Sequence, residues 1–466
     1  MTEPSKCDVA VIGAGMSGYV ASIRLAQLGK KVTLIESGKL GGTCVNLGCI
    51  PMKSLLAIAD LVTMAKRAKE FEVLLGDFKT DFSKVIARKD AVVSRLIEGV
   101  KFLIKKNGIH LVQGNAKIQS RNQIKVLKPD GNEEIISTDN IIIATGSDEP
   151  KPPYAQMGED KVLTTKGALE MKEAPKSLVV IGGNIIGIEF AVFFNSFDTE
   201  VRILESSSRL LPNLDADIGR TYQRILKKKN IEIYLDAELN SVHVKPDGKV
   251  GIGINVKESQ IGLETEKVLV ANTRRPLTHN LGLENIGLQT KDGFIIVDEH
   301  MRTNINNIYA VGDVTGGRML AHVASTEGII AAMNIAGLGL TFNSKTIPTC
   351  MYCQPEVASV GLSEDEAKDK GYKVSVGKFP LLANGRALTL GETDGFAKIV
   401  CDAETGEILG VHLIGPHATD LISEATLAML LECTYEEIGS LIHPHPTISE
   451  ALMEAAMAVS KKAIHI

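Results

Sequence analysis

Two cysteines separated by four residues, Cys44 and Cys49, are the side chains of this chain best suited to redox chemistry. They lie in the run GGTCVNLGCIPMK (41–53), where glycines flank both thiols. A Cys-x-x-Cys would indicate thioredoxin-type chemistry or half of a zinc site, whereas this spacing suits a pair bridged across a bent first helical turn. No second cysteine or histidine pair follows at finger spacing, so no metal site is expected. The run predicts a redox-active dithiol rather than two buried structural thiols.

An internal repeat supplies elements that can position this dithiol. Two segments read as an apolar strand, a glycine turn, an amphipathic helix and a second strand that ends in an acid: CDVAVIGAGMSGYVASIRLAQLGKKVTLIE (7–36) and SLVVIGGNIIGIEFAVFFNSFDTEVRILE (177–205). In each, 23 positions separate the first turn glycine from the acid: Gly13 to Glu36, and Gly182 to Glu205. Units of this design bind dinucleotides, so the repeat predicts two nucleotide sites.

The first turn has the complete glycine fingerprint. Gly13 permits the tight turn, Gly15 lets the backbone approach a diphosphate, and Gly18 allows the helix to pack closely on the strand. The positive N-terminus of the helix faces the phosphates, and Glu36 is placed to accept hydrogen bonds from ribose hydroxyls. A purely structural turn is the alternative, and the register of strand, helix and acid argues against it.

Length, charge and cysteine usage bound the class of protein. The 466 residues exceed one ordinary domain, and this length predicts about three domains. A formal net charge of -5 without a long basic run argues against nucleic-acid and membrane-surface binding. The N-terminus runs straight into a strand, so no signal or transit peptide is visible. Seven cysteines, an odd number, favour a reducing cytoplasm with one special pair.

The remaining chain predicts an α/β fold with a different C-terminal part. Helical periodicity covers about 54–107, and short strands follow as far as 141–147. The tail, 346–466, begins with strands and ends in helices, which predicts a separate α+β domain. Its Cys350 and Cys353 are three apart in a predicted strand, where they would face opposite sides and be ordinary packed thiols.

Motifs along residues 7–460 carry a resemblance to a known family. The most specific are GGTCVNLGCIPMK, SGYVASIRLAQLG, AVGDV, MLAHVASTEG, PEVASVG, ANGRAL and HPHPTISE. The chain resembles the FAD-dependent pyridine nucleotide-disulfide oxidoreductases. The segment around Tyr19 and HPHPTISE are similar to the branch that oxidises dihydrolipoyl groups with NAD+. Glutathione reductases share the fold and the cysteine spacing, and mercuric reductases normally end in a cysteine pair that this chain lacks.

The resemblance implies a role for each residue near the dithiol. Cys44 is expected to be the interchange thiol that exchanges with the lipoyl group. Cys49 is expected to contact the flavin and to form a charge-transfer complex with it. Lys53 resembles the lysine beside the flavin, with Glu189 as its acidic partner.

The resemblance also implies an acid/base pair near the C-terminus. His445 is expected to take the proton from an incoming dihydrolipoyl thiol, and Glu450 to hold the imidazole. A histidine suits this task because its pKa lies near working pH, and a carboxylate on its other nitrogen fixes the tautomer. His443 is expected to be a structural support.

The same resemblance implies two cofactors, FAD and NAD. The expected FAD contacts are Gly13, Gly15, Gly18, Glu36, Gly42, Thr43, Lys53, Ala116, Thr145, Gly146, Gly312, Asp313, Met319, Leu320, Ala321 and His322. The expected NAD contacts are Gly182, Gly183, Asn184, Ile186, Gly187, Glu205 and Ala271.

The implied architecture has two Rossmann-like domains and a C-terminal dimerisation domain. Its expected boundaries are 1–149 for FAD binding, 150–272 for NAD binding, 273–345 for a central domain that completes the FAD site, and 346–466 for dimerisation. The implied assembly is a homodimer in which the histidine serves the other subunit's cysteines. Its expected partners are lipoyl-bearing subunits of 2-oxoacid dehydrogenase or glycine-cleavage complexes, without nucleic acid or membrane.

Two departures from the family pattern lie in the second nucleotide unit. Asn184 stands where the middle glycine belongs, and Thr273 replaces the usual glycine of a Gly-Arg-Arg-Pro segment. Asparagine tolerates positive φ, so the turn can survive, while its side chain can crowd the diphosphate. Three hypotheses follow: a competent NAD-reducing enzyme, a paralogue with another disulfide substrate or electron acceptor, and a mainly structural subunit. The intact Cys44, Cys49 and His445 argue against the third.

Overall fold

A computed structural model describes residues 5–152, 158, 160–271 and 274–466. The described residues form two compact units. The first unit takes its residues from Met1–Ser54, Lys84–Lys151 and Asn272–Asn343, and the second from Leu55–Ser83, Pro152–Ala271 and Ser344–Ile466.

Strands are numbered here in chain order. They are β1 (Ser5–Ile12), β2 (Val32–Glu36), β3 (His110–Gln113), β4 (Asn115–Ser120), β5 (Gln123–Leu127), β6 (Glu133–Ile143), β7 (Ser147–Asp148), β8 (Val162–Leu163), β9 (Ser177–Ile181), β10 (Glu200–Leu204), β11 (Glu232–Tyr234), β12 (Ala237–Val244), β13 (Val250–Val256), β14 (Ser259–Thr265), β15 (Lys267–Val270), β16 (Arg275–Pro276), β17 (Thr290–Lys291), β18 (Phe294–Ile295), β19 (Ile308–Ala310), β20 (Thr349–Met351), β21 (Glu356–Gly361), β22 (Val374–Pro380), β23 (Phe396–Asp402) and β24 (Ile408–Gly415).

The α-helices are numbered in the same way. They are α1 (Met16–Gln27), α2 (Gly42–Asn46), α3 (Cys49–Arg67), α4 (Phe82–Lys106), α5 (Thr165–Leu169), α6 (Ile185–Ser196), α7 (Ala216–Lys228), α8 (Ala321–Ile335), α9 (Glu364–Asp369), α10 (Gly385–Leu390), α11 (Ala418–Leu430), α12 (Tyr435–Ser440) and α13 (Glu450–Val459). The predicted helical stretch at 54–107 is therefore two helices, since α3 ends in a 3₁₀ turn at Ala68–Phe71 and α4 begins only at Phe82.

The sheet of the first unit is parallel where it carries the first glycine turn. Its strand order is β3-β2-β1-β6-β5-β4, with β19 beside β6, and β3, β2, β1, β6 and β19 run parallel. Ile12 is in register with Ile35 and with Ile143, so the carboxyl ends of β1, β2 and β6 lie level. Both faces of β1 are covered by apolar clusters, which explains its almost unbroken hydrophobic sequence. The first glycine turn thus follows a central strand, at the carboxyl end of the parallel part of this sheet.

The second unit contains the second parallel sheet and a separate antiparallel one. The parallel sheet has the order β11-β10-β9-β15-β8, and the second glycine turn follows its central strand β9. The C-terminal sheet is antiparallel with the order β20-β21-β24-β23-β22. Buried side chains of this sheet pack with those of α11 and α13 in one apolar core. Two Rossmann-like sheets and an α+β C-terminal part confirm the predicted fold class.

Candidate active site

Local backbone geometry brings the two cysteines together. Gly41 and Gly42 adopt positive φ, +90° and +59°, which lets the chain turn sharply into α2. Cys44 lies within α2, and Cys49 is the first residue of α3. The backbone N–H groups of a first helical turn have no partner within the helix. Pro51 lies in the first turn of α3 and has no N–H, so no helical hydrogen bond is lost there. Both thiols are half-buried and in the reduced state, and their side chains are hydrogen-bonded to each other.

The electrostatics of the pair distinguish its two sulfurs. The hydrogen bond to Cys49 and the burial of the thiol raise the pKa of Cys44, while the positive charge of Lys53 opposes this rise. Cys49 is better placed to be a thiolate, since it begins a helix of 19 residues and faces the positive end of its dipole.

Tyr19, which belongs to the motif SGYVASIRLAQLG, lies near this pair. Burial raises the pKa of Tyr19, and a negative charge on Cys44 raises it further. Its hydroxyl contacts Met16 Sδ at 3.3 Å. The phenol therefore remains a neutral wall of the dithiol site at neutral pH.

The first glycine turn fits a dinucleotide. Gly13 has a φ of +103°, and a Cβ on Gly18 would lie 1.8 Å from the Gly13 carbonyl oxygen, so both positions require glycine for backbone reasons. Gly15 does not, because its φ is -71° and an added Cβ would meet only Gly42 Cα at 3.8 Å. The space kept open at Gly15 lies at the start of α1, where the backbone amides have no side-chain cap. A diphosphate fills such a space.

Other expected FAD residues line the same unit. The Glu36 carboxylate accepts the Ala14 and Gly38 backbone amides, both at 2.6 Å, and is thereby held at the end of β2. Thr145 Oγ1 is buried and has no hydrogen-bond partner within the described part of the chain, which suits a ligand that supplies one. Gly42 packs on Gly15, and its neighbour Thr43 continues α2.

The remaining FAD residues belong to the same sheet or to the segment before α8. Ala116 lies on β4 and packs against the apolar core of the first unit. Gly146 has a φ of +74° with open space around it. Met319 has a positive φ of 44°, Leu320 is the N-cap of α8, and Ala321 and His322 begin that helix. These residues fit FAD in three ways. The glycine turn is open to a diphosphate, the Glu36 carboxylate is placed for ribose hydroxyls, and the buried Thr145 hydroxyl can bond to the ligand.

Asp313 is held by a polar cluster that sequence reasoning recognised only in part. Its carboxylate accepts a short hydrogen bond from Ser147, and the Arg274 guanidinium lies 3.9 Å away. The preceding Gly312, with a φ of +77°, donates its amide to Glu327 at 2.6 Å. Burial raises the pKa of Glu327 to about 7, although the Gly312 amide acts in the opposite direction. Glu327 was not predicted as a site residue, although it belongs to the MLAHVASTEG motif.

The second glycine turn copies the first, except at Asn184. Gly182 has a φ of +116°, and a Cβ on Gly187 would lie 2.0 Å from the Gly182 carbonyl oxygen. Asn184 is the N-cap of α6 with a φ of -82°, so the expected use of positive φ is wrong. The extended backbone at this position accepts any residue. The side chain of Asn184 is bound to the protein, since Oδ1 accepts the Gly187 amide at 3.0 Å and Nδ2 donates to the Ala271 carbonyl at 2.9 Å.

The other expected NAD residues gather around this turn. The Glu205 carboxylate accepts the Gly183 amide and the Ser207 amide, both at 2.7 Å, as Glu36 does in the first unit. Ile186 is partly exposed on the first turn of α6, and Ala271 follows β15. These residues fit the adenosine half of a dinucleotide. Thr273 lies outside the described residues.

The acid/base candidates lie together before and within α13. His445 Nδ1 is 2.9 Å from Glu450 Oε1, and an ionised carboxylate only accepts, so Nδ1 donates and Nε2 is left to take a proton. Glu450 also accepts the Thr447 amide at 2.8 Å. Burial raises the pKa of Glu450, but the Thr447 amide and His445 lower it more, so the net shift is downward. His443 Nε2 is 3.0 Å from Glu424 Oε1, and its supporting role stays a prediction.

Glu189 lies in a buried polar group within the second unit. It accepts the Tyr352 amide at 3.0 Å. Cys353, beside Tyr352, lies outside the short strand β20, and its Sγ is 3.1 Å from the Tyr222 hydroxyl. Cys350 packs against the C-terminal core. The structure thus places both cysteines as packed thiols, although the alternating strand expected between them is wrong.

Some expected neighbours stay predictions. Lys53 and Cys49 belong to the first unit, and Glu189 and His445 belong to the second. The expected pairing of Lys53 with Glu189, and that of His445 with the cysteines, therefore stay predictions. The four domain boundaries are also untested. No group of three histidine, cysteine or acidic side chains within the described ranges could hold a metal ion. The helical stretch Gly42–Phe71 is long and apolar enough to cross a membrane, a property that core helices share.

Comparisons with known proteins cover almost the whole chain. The profile of the pyridine nucleotide-disulphide oxidoreductases matches residues 7–328, and the profile of their dimerisation domain matches 347–456. A dihydrolipoyl dehydrogenase of Bacillus subtilis (strain 168) is 44% identical, with 98% of this chain and 99% of the relative covered. The dihydrolipoyl dehydrogenase of Geobacillus stearothermophilus is 42% identical, with coverage of 98% and 97%.

Solved structures show the same fold. LpdA from Mycobacterium tuberculosis superposes with a TM-score of 0.89 at 26% identity and covers 97% of this chain and 99% of its own. The HOCl-induced flavoprotein disulfide reductase RclA from Escherichia coli superposes with a TM-score of 0.85 at 28% identity, with coverage of 97% and 99%.

Proposed function

We propose that this chain, which belongs to the pyridine nucleotide-disulphide oxidoreductase family, is a dihydrolipoyl dehydrogenase. It oxidises a protein-bound dihydrolipoyl group to the lipoyl disulfide and reduces NAD+ to NADH. The observation that carries the proposal is the hydrogen-bonded Cys44 and Cys49 pair at the start of α3, in the same unit as an open glycine turn. Such a pair can pass between dithiol and disulfide.

The two sulfurs divide the exchange between them. A substrate thiolate attacks Cys44 of the oxidised pair, and Cys49 leaves as a thiolate that the start of α3 stabilises. The second substrate thiolate then attacks the substrate sulfur of this mixed disulfide. Cys44 is released, and the lipoyl ring closes. Two electrons and two thiol hydrogens have left the substrate, and the pair is now reduced.

FAD, when bound, carries the two electrons from the reduced pair to NAD+. The residues that hold it in this proposal are the first glycine turn, Glu36, Thr145 and Asp313. Glu327 fixes the Gly312 turn, and with it the Asp313 carboxylate, through its hydrogen bond to the Gly312 amide.

His445 acts as the general base in the proposed reaction. Its Nε2 takes the proton from the incoming substrate thiol, because Glu450 holds the other nitrogen as the donor. The carboxylate also stabilises the imidazolium that results. The side chain of His445 is 79% exposed in a single chain. This exposure agrees with a histidine that acts in the active site of another subunit.

The dimerisation domain supports a homodimer. In the proposed assembly each dithiol is served by His445 of the partner subunit. The substrates are lipoyl-bearing subunits of 2-oxoacid dehydrogenase or glycine-cleavage complexes. The proposed location is the cytoplasm.

A steady-state assay of the purified protein tests this function. Dihydrolipoamide with NAD+ is expected to give the highest turnover, and glutathione and NADP+ are the control substrates. The protein is expected to purify with one FAD per chain. Turnover with glutathione, or with an acceptor other than NAD+, would favour a paralogue of different specificity. A protein that binds no flavin after reconstitution would contradict both.

A further inference from the structure

The two glycine turns have the same backbone but different helix caps. Gly15 and Asn184 are the N-caps of α1 and α6, with φ and ψ of -71° and -174° and of -82° and 178°. The first-turn amides of α1 have no side-chain cap, whereas Asn184 caps α6 itself. Since the backbone is extended at both positions, neither requires glycine for its conformation. The side chain is the difference.

Asn184 joins the start of α6 to the end of β15 through two hydrogen bonds. Its Oδ1 accepts the Gly187 amide at 3.0 Å, which uses one of the donors at the positive end of α6. Its Nδ2 donates to the Ala271 carbonyl at 2.9 Å, which fixes the side chain beside the end of β15. Gly182 is also close, because a Cβ placed there would lie 3.3 Å from Nδ2.

A diphosphate needs the space and the donors that this side chain takes. In the first unit the corresponding space, at Gly15, meets nothing nearer than Gly42 Cα at 3.8 Å from an added Cβ. Glu36 and Glu205 each accept two backbone amides in the same arrangement. The acid at the end of the second strand is therefore held alike in the two units, whereas the first turn of the helix is not.

We propose that Asn184 is a positioning residue that caps α6 in the nucleotide-free state and must yield to the diphosphate of an incoming dinucleotide. This inference rests on the assignment of the second turn to NAD in the proposed function. Its consequence is weaker binding of both NAD+ and NADH, because each displaces two hydrogen bonds. The chemistry at the nicotinamide, remote from Asn184, is unaffected.

Ligand binding without turnover tests this inference. The probe is ADP-ribose, which contains the diphosphate and both riboses but no nicotinamide, and its Kd for the oxidised holoenzyme is measured by calorimetry. Asn184→Gly is expected to bind ADP-ribose about tenfold more tightly, as the loss of one or two competing hydrogen bonds implies. Adenosine, which lacks the diphosphate, is expected to bind both proteins equally.

Asn384 offers a matched control. It is the N-cap of α10, its Oδ1 accepts the Ala387 amide at 2.9 Å, and its Nδ2 donates to the Thr447 carbonyl at 3.0 Å. Asn384→Gly therefore removes the same two bonds outside the nucleotide turns. It is expected to leave the Kd for ADP-ribose unchanged.

Two further measurements keep the inference open to contradiction. Asn184→Ser retains a cap for Gly187 but is too short to reach Ala271, and it is expected to give a smaller gain in affinity than Asn184→Gly. In the assay, Asn184→Gly is expected to lower KM for NAD+ with kcat nearly unchanged, which indicates altered uniform binding. An ADP-ribose Kd that is unchanged or higher in both folded variants overturns the inference. Absence of dihydrolipoamide turnover in the unmodified protein would instead contradict the proposed function.

Discussion

The chain has two cysteine pairs, and the structure gives them opposite environments. Cys44 and Cys49 are half-buried, hydrogen-bonded to each other and placed at the start of a helix. Cys353 is fully buried against Tyr222, and Cys350 packs against the C-terminal core. Cys-x-x-Cys is the spacing more often associated with redox chemistry, yet here the wider pair has the two sulfurs that are hydrogen-bonded to each other. The start of a helix and a neighbouring cation therefore indicate reactivity better than the number of intervening residues does.

The largest expected effect separates the two pairs by activity. Cys49→Ser removes the leaving thiolate of the exchange, so turnover with dihydrolipoamide and NAD+ should fall roughly 10⁴-fold or more. Steady-state kinetics of the holoenzyme measure this loss of turnover. Cys350→Ser, the control from the second pair, should keep normal turnover. Equal losses in the two variants would show that the comparison is wrong.

A second substitution tests the proton path to the first pair. His445→Gln should lower turnover roughly 10²- to 10⁴-fold, the usual range for a positioned proton-transfer group, with FAD still bound. His465→Gln is the matched control, because His465 Nδ1 is bonded to Glu454 at 2.6 Å in a pair of the same type. The readout is the rate at which dihydrolipoamide alone reduces the flavin. An unchanged rate in His445→Gln would place the base elsewhere.

Thiol alkylation compares the pairs without substitution. Burial raises the pKa of Cys353 to about 12, and the Tyr222 hydrogen bond only partly opposes this. Because a raised pKa keeps the thiol protonated until the pH approaches it, only about 10⁻⁴ of Cys353 is thiolate at pH 8. Iodoacetamide should therefore modify the reduced Cys44 and Cys49 pair at least about 100-fold faster than Cys353, as followed by mass spectrometry. The denatured protein, in which all thiols should react alike, is the control, and similar rates in the folded protein would refute the difference.

The smallest expected effect concerns the second pair alone. Tyr222→Phe removes the hydroxyl that contacts Cys353, and the free energy of unfolding should fall by about 1 kcal/mol. The midpoint of thermal unfolding of the holoenzyme measures the change, with turnover near that of the unmodified protein. A loss of turnover larger than the loss of stability would mean that the second pair acts in catalysis.

Much of this site could be predicted from sequence, because its residues are constrained locally. The glycine turn at Gly13, the acid at Glu36 and the start of α3 at Cys49 follow from short patterns with strong conformational meaning. The fold class follows from the repeated unit for the same reason. The break between α3 and α4, at residues 68–81, is harder to predict from sequence, since apolar residues continue through this segment.

What sequence could not predict depends on contacts between distant residues. The bond from Glu327 to the Gly312 amide joins positions 15 residues apart, and that from Tyr222 to Cys353 joins positions 131 apart. Asn184 shows the same limit, because both functional groups of its amide have partners, and one of these is 87 residues away. Local propensity gave neither the extended backbone at Asn184 nor the direction of its side chain.

Anaerobic reduction by dihydrolipoamide without NAD+ tests the central claim, that Cys44 and Cys49 form the redox centre with Cys49 as the thiolate beside the flavin. The holoenzyme should show a long-wavelength absorption band from a thiolate next to the flavin. Before any reductant is added, Cys44→Ser should already show this band, because its Cys49 is a free-standing thiolate beside oxidised flavin, and Cys49→Ser should lack it. A band that persists in Cys49→Ser would reverse the two roles, and a flavin that dihydrolipoamide leaves oxidised in the unmodified protein would contradict the claim.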